Sequence, residues 1–197
     1  MTPYPLRLLA VLTALTVGAV VGGCASAPAT HWLSLPLPSG NAMQTADQTA
    51  TTHVLIVRRV GIPEYLQTDK VRYRQADSVL GEWPHTAWAE RLELGLTDHL
   101  VMRLRLALPG WTVCERSCPA QASSIVLNVD FAPLDYVRTA GQLRADAHWQ
   151  LTGNGRHGST VVTAPVIPDS AEGQAAALAQ VLDRLAIDIT SALHTGP

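Results

Sequence analysis

Read for its apolar positions alone, the chain has three textures. Residues 8 to 21 form one apolar run relieved only by two threonines and a glycine. As a helix that run would reach about 21 Å at 1.5 Å per residue, short of the roughly 30 Å hydrocarbon core of a bilayer. Arg7 precedes it and the small residues Gly22 and Gly23 follow, the order of a secretory signal over residues 1–23. Residues 24–52 are rich in Ala, Pro, Ser, Thr and Gly, with one apolar patch at Trp32-Leu33-Ser34-Leu35, and read as a flexible tether interrupted by a short strand. Regular patterning begins at His53, which makes residues 53–197 a single globular domain.

Within that domain the periods separate strands from helices. Val54-Leu55-Ile56-Val57 is a continuous aliphatic run, expected of a strand buried on both faces. Val71 and Tyr73 alternate with Arg72 and Arg74, a half-exposed strand that turns near residues 75–77 and pairs with residues 78–80. Gly81-Glu82-Trp83-Pro84 reads as a break. Trp88, Leu92, Leu96, Leu100, Leu104 and Leu108 recur every fourth residue, predicting a helix over residues 86–108 that Pro109-Gly110 ends. Leu94, Val101 and Leu106 lie off this row, giving the helix a second apolar side that would suit another subunit. Residues 125–131 and 143–151 alternate strictly and form a hairpin around Thr139-Ala140-Gly141. A glycine-rich turn at residues 153–158 leads to a third strand ending at Pro165. The last helix carries Ala175, Leu178, Leu182, Leu185 and Ile189 on one face, with Asp169 as its cap and Glu172 as capping-box partner. The pattern therefore predicts an α/β (α+β-like) domain: a mixed sheet of about five or more strands and two long helices. It leaves strand order, and whether the helices cover one sheet face or both, open.

Charge and chemistry narrow the function classes. Removing residues 1–23 takes Arg7 from the 14 basic residues set against 16 acidic ones and moves the formal charge from −2 to −3. That balance argues against a nucleic-acid partner. The local basic cluster of Arg58, Arg59, Lys70, Arg72 and Arg74 reads as a solvated sheet face, with a partner protein or lipid head groups as the alternative use. Apart from Cys24, Cys114 and Cys118 are the only cysteines, and in an exported chain they suggest a small disulfide clasp. A redox pair would want C-x-x-C spacing, and a metal site further ligands. The seven histidines are scattered and no two share an i, i+4 spacing, so no metal is expected. No nucleophile elbow, P-loop or dinucleotide fingerprint occurs, and no catalytic residue stands out. A hydrolase would need a deep polar pocket gathering, for example, His85, His99 and nearby acids.

Two resemblances add to this. Val21-Gly22-Gly23-Cys24 resembles the lipobox of bacterial lipoproteins, in which the cysteine is lipidated and becomes the first residue. Ala25 and Ser26 after it, rather than aspartate, favour by analogy the outer membrane, facing the periplasm. The mature chain resembles the PqiC-type auxiliary lipoproteins of ABC transport systems. The residues that carry this are Gly61-Ile62-Pro63-Glu64-Tyr65-Leu66, Val71-Arg72-Tyr73-Arg74, Leu80-Gly81-Glu82-Trp83 and Trp88-Ala89-Glu90, then His148-Trp149-Gln150-Leu151 and the alanine-rich last helix. The resemblance implies a fold similar to anticodon-binding-like domains such as the N-terminal domain of TolB. It also implies a non-enzymatic accessory or docking subunit of an MCE-type intermembrane lipid transport system. Its partners would be the periplasm-spanning MCE component and the outer membrane, through a covalent lipid and no other cofactor; homo-oligomers are compatible with it. Pro63, Tyr65, Leu66, Trp83 and Trp88 are the candidate partner surface, because aromatics are favoured at interface cores. The alternative is an envelope-assembly adaptor lipoprotein without a transport role.

Overall fold

The sheet is organised by its longest strand. A computed structural model describes residues 28–37, 53–115, 118 and 124–194; the apolar run, Cys24 and most of the segment before His53 lie outside the described residues. The strands are β1 (His31–Leu33), β2 (His53–Val57), β3 (Lys70–Ala76), β4 (Val79–Trp88), β5 (Trp111–Cys114), β6 (Ser124–Val137), β7 (Gln142–Thr152) and β8 (Arg156–Pro165). The helices are α1 (Leu92–Ala107) and α2 (Ala171–His194). Among the described residues these eight strands form one mixed sheet. One edge of β6 pairs antiparallel with β7, which pairs with β8. The other edge of β6 pairs parallel with β2 near its start and with β3 at Arg74↔Val137 near its end. β5 flanks β2, while β4 and then β1 extend the sheet beyond β3.

Alternation decides which face is buried. Leu127, Val129 and Phe131 of β6 and Leu143, Ala145, Ala147, Trp149 and Leu151 of β7 point into one core. Between Phe131 and Leu134 the register slips at Ala132-Pro133, where proline has no N–H for the ladder. The bulge returns Leu134 and Tyr136 to the buried face. α1 and α2 pack on each other, α1 against β5 and α2 against β7 and β8, so both helices cover one face. Arg144, His148, Gln150 and Val161 are exposed on the other. Among the described residues no helix is long and apolar enough to cross a membrane.

Several boundaries differ from the pattern's expectation. The helix begins at Leu92, not at residue 86, because Ala87 and Trp88 are the buried end of β4. The stretch at residues 81–84 does not break β4; it bulges there, with Arg72 opposite Glu82 and Lys70 opposite Ala87. Pro84 removes a donor and His85 adopts φ 52°, a left-handed backbone. The β7–β8 turn is confined to residues 153–155, and Arg156, His157 and Gly158 already belong to β8. The cap of α2 is Ser170, whose Oγ accepts from the Gly173 N–H at 3.1 Å. Asp169 is engaged elsewhere.

Candidate partner-binding surface

After β2 the backbone keeps following β6. The Arg58 N–H donates to the Leu127 carbonyl at 2.9 Å, Gly61 N–H to Val129 at 2.8 Å, and Phe131 N–H back to Gly61 at 2.9 Å. A Cβ on Gly61 would lie 2.0 Å from Asp130 Oδ1, so the missing side chain is what lets Asp130 lie across this crossing. Ile62 then turns inward, and Pro63 opens the 3-10 turn Glu64–Leu66. The turn is tied by the Leu66 N–H to the Pro63 carbonyl, and Gln67 Nε2 donates to the Ile62 carbonyl at 3.2 Å.

Beside this crossing lies a shallow depression of about 650 Å³ lined by Arg59, Pro63, Gln67, Arg91, Glu93 and Asp130, among others. Glu93, in the first turn of α1, is buried and pairs with Arg91. Two cations and two carboxylates thus surround an apolar floor that includes Ile62 and Phe131. The lining contains no serine, cysteine or histidine. An apolar floor inside a charged, polar rim is the make-up of protein–protein interfaces.

Tyr65 leaves the same turn in the other direction. Its hydroxyl donates to Asp135 Oδ1 at 2.8 Å, Arg74 pairs with Asp135 at 3.0 Å, and the Arg74 guanidinium sits 5.7 Å from the Tyr65 ring centre. Burial, then the hydrogen bond to Asp135, pushes the phenol up to about 12. A second cluster links β3, β4 and β6 to the start of α2. Trp83 stacks on Tyr136 at 6.5 Å and meets Tyr73 at 5.0 Å. Arg138 lies 4.5 Å from the Trp83 ring and 4.9 Å from the Tyr73 ring. Its guanidinium pairs with Asp169 at 3.0 Å, and the Tyr136 hydroxyl donates to Asp169 at 2.6 Å. The tyrosine hydrogen bond and then Arg138 hold Asp169 below the usual carboxylate range, and burial pushes Tyr136 up to about 12. Trp83 Nε1 donates to Gln174 Oε1 at 2.8 Å, and Gln174 Nε2 to the Arg72 carbonyl at 2.7 Å.

Of the five residues singled out in the sequence, Leu66 and Trp88, 7 % and 5 % exposed, are core and unavailable to a partner. Pro63, Tyr65 and Trp83 keep exposed surface. Pro63 alone among them lines the depression; Tyr65 and Trp83 belong to the two polar–aromatic clusters. Arg91, Glu93 and Asp130 carried no signal, because they line one depression with Gly61 from 30 or more positions away. The basic cluster is partly consumed by ion pairs, Arg72 with Glu82 at 2.9 Å and Arg74 with Asp135. Cys114 and Cys118 are disulfide-bonded at the end of β5, Cα atoms 5.6 Å apart. His99 is buried against α2 and His85 is exposed, and neither lines the depression. Among the described residues no three His, Cys, Asp or Glu side chains are placed to hold a metal ion.

Comparison with known proteins bears on this surface. A family model described as the ABC-type transport auxiliary lipoprotein component matches residues 34–190. Among curated proteins, none matches the chain. The fold is similar to that of a crystal structure described only as an uncharacterized protein, with 21 % identity over 84 % of this chain and 99 % of that one and a TM-score of 0.67. It is also similar to protein XCC0632 from Xanthomonas campestris, with 14 % identity over 83 % of this chain and 98 % of that one and a TM-score of 0.57. At such identities these two likenesses are of fold alone.

Proposed function

Because the chain belongs to the family of ABC-type transport auxiliary lipoprotein components, we propose that it is a non-enzymatic docking subunit of an MCE-type intermembrane lipid transport system. In this reading a lipid on Cys24 holds it at the outer membrane, facing the periplasm, where it receives the periplasm-spanning MCE component. The observation that carries the docking role is the depression beside Gly61. It is concave, has an apolar floor and is rimmed by charges of both signs. Charged rims steer and register a partner, while the apolar floor supplies affinity.

The test is co-purification from solubilised envelopes. The wild-type lipoprotein is expected to recover an MCE-type protein. Arg59→Glu, which reverses an exposed charge on the rim, is expected to lower recovery about tenfold, equivalent to roughly 1.4 kcal/mol. Recovery of cell-wall factors alone would favour the adaptor reading and overturn this one.

A further inference from the structure

The register of β1 fixes the end of the sheet at which the chain enters it. β1 runs parallel to β4, with His31 opposite Thr86 and Leu33 opposite Trp88. The chain upstream of His31 therefore leaves the sheet toward the beginning of β4, at Val79. Seven positions separate Cys24 from His31, a span of at most about 25 Å. The β4 stretch from Ala87 to Val79 is matched by the six positions from Lys70 to Ala76 on β3, about 20 Å. A fully extended chain from His31 back to Cys24 is long enough to span the distance to the β3–β4 turn. The β7–β8 turn lies at the far end of an 11-residue strand, about 36 Å long.

The register shows what else shares the near end. Ala76 faces Val79, Arg74 faces Val137, Val137 faces Gln142, and Gln142 faces Pro165. The Val166 N–H donates to the Gly141 carbonyl at 2.9 Å. The β3–β4 turn, the β6–β7 turn and the loop from β8 to α2 are thus neighbours. They carry three large apolar side chains in water: Val79 at 49 %, Leu80 at 37 % and Ile167 at 79 % exposure. Scattered exposed apolar residues need no explanation; three at the end to which a short tether leads do.

We propose that this end stands on the phospholipid surface, with Val79, Leu80 and Ile167 seated in the head-group region. The inference rests on the Cys24 anchor of the proposed function. It also sets the depression beside Asp130, six rungs of the β6–β7 ladder before Val137, about 20 Å of strand from that end, open to a partner arriving from the periplasm.

The mature lipidated protein, carrying Val79→Cys, Ile167→Cys or Asn154→Cys with an environment-sensitive fluorophore, tests it in vesicles of phosphatidylethanolamine and phosphatidylglycerol containing spin-labelled lipid. The native Cys114–Cys118 pair is bonded and does not take the label. Quenching at 79 and 167 is expected to exceed that at 154, in the β7–β8 turn, by at least about twofold, as burial about 5–10 Å into the interface requires. Equal quenching in protein that floats with the vesicles overturns the orientation and leaves the anchor standing. Labels at 79 and 167 that are shielded from a water-soluble quencher but untouched by the lipid one put a protein there instead, and also overturn it. Protein that does not float overturns the anchor itself, and this orientation with it.

Discussion

Gly173 shows how a single residue is judged by its surroundings. It sits three residues after the Ser170 cap, in the first turn of α2, where local propensity favours alanine over glycine by about 1 kcal/mol. A Cβ there would lie 2.0 Å from the Pro168 carbonyl oxygen. That oxygen is backbone and accepts from the Ser170 N–H, so it cannot swing aside as a side chain would. Overpacking of this kind costs about 1–3 kcal/mol. Gly173→Ala is therefore expected to destabilise by about 1–2 kcal/mol, read as a lower urea midpoint at unchanged slope; a raised midpoint would refute the contact. The cap teaches the same lesson. Asp169 and Glu172 have the right spacing for a capping box, but Tyr136 and Arg138, more than 30 positions away, take the Asp169 carboxylate, and Ser170 caps instead. Local spacing shows which side chains can cap; it does not show which have a better offer.

At the scale of elements, the leucine row of α1 was legible because a period near 3.6 belongs to the helix itself. Leu92, Leu96, Leu100, Leu104 and Leu108 are all buried. Trp88 fits the same spacing yet ends a strand, since one residue at the end of a periodic run cannot tell a helix from a buried strand terminus. What joins α1 to α2 was not legible. Arg103 pairs with Asp183 through both carboxylate oxygens, and His99 lies buried beneath them with Nε2 3.7 Å from Asp183. Burial holds the imidazole below its ordinary value, outweighing the pull of Asp183 and of the Pro36 backbone carbonyl as acceptor; Arg103 adds to the lowering. The folded protein then binds this proton less readily than the unfolded chain. Stability from His99 is full above about pH 6.5 and declines as pH falls below it. Urea midpoints measured from pH 7 to pH 5 are expected to fall in the wild type and to fall less in His99→Gln. Parallel declines would remove His99 from the cause.

For the whole molecule, the decisive finding is where the first strand lies. β1 covers the edge of β4, the Ala89 N–H donates to the Leu33 carbonyl at 2.8 Å, and Leu33 and Leu35 pack against the core. Two half-buried leucines contribute about 1 kcal/mol each, and the backbone bonds about 1 more. A fragment of residues 53–197 is expected to be less stable than one of residues 28–197 by about 2–3 kcal/mol in urea unfolding; equal midpoints would return β1 to the tether. The amino-acid sequence alone determined the periodic elements, the mixed α/β class and the Gly61–Leu66 segment that now flanks the depression. Each of these is a local property: an apolar period, a proline, a glycine, a short motif. Tertiary structure alone decided that β2 and β3 share one edge of β6, that both helices cover one face, that Trp88 is core, and that Arg91, Glu93 and Asp130 line one depression with Gly61. Backbone ladders offer nearly the same donors and acceptors at every residue. Which strands pair, and hence which distant side chains meet, follows from packing the whole chain around one core rather than from any stretch of it.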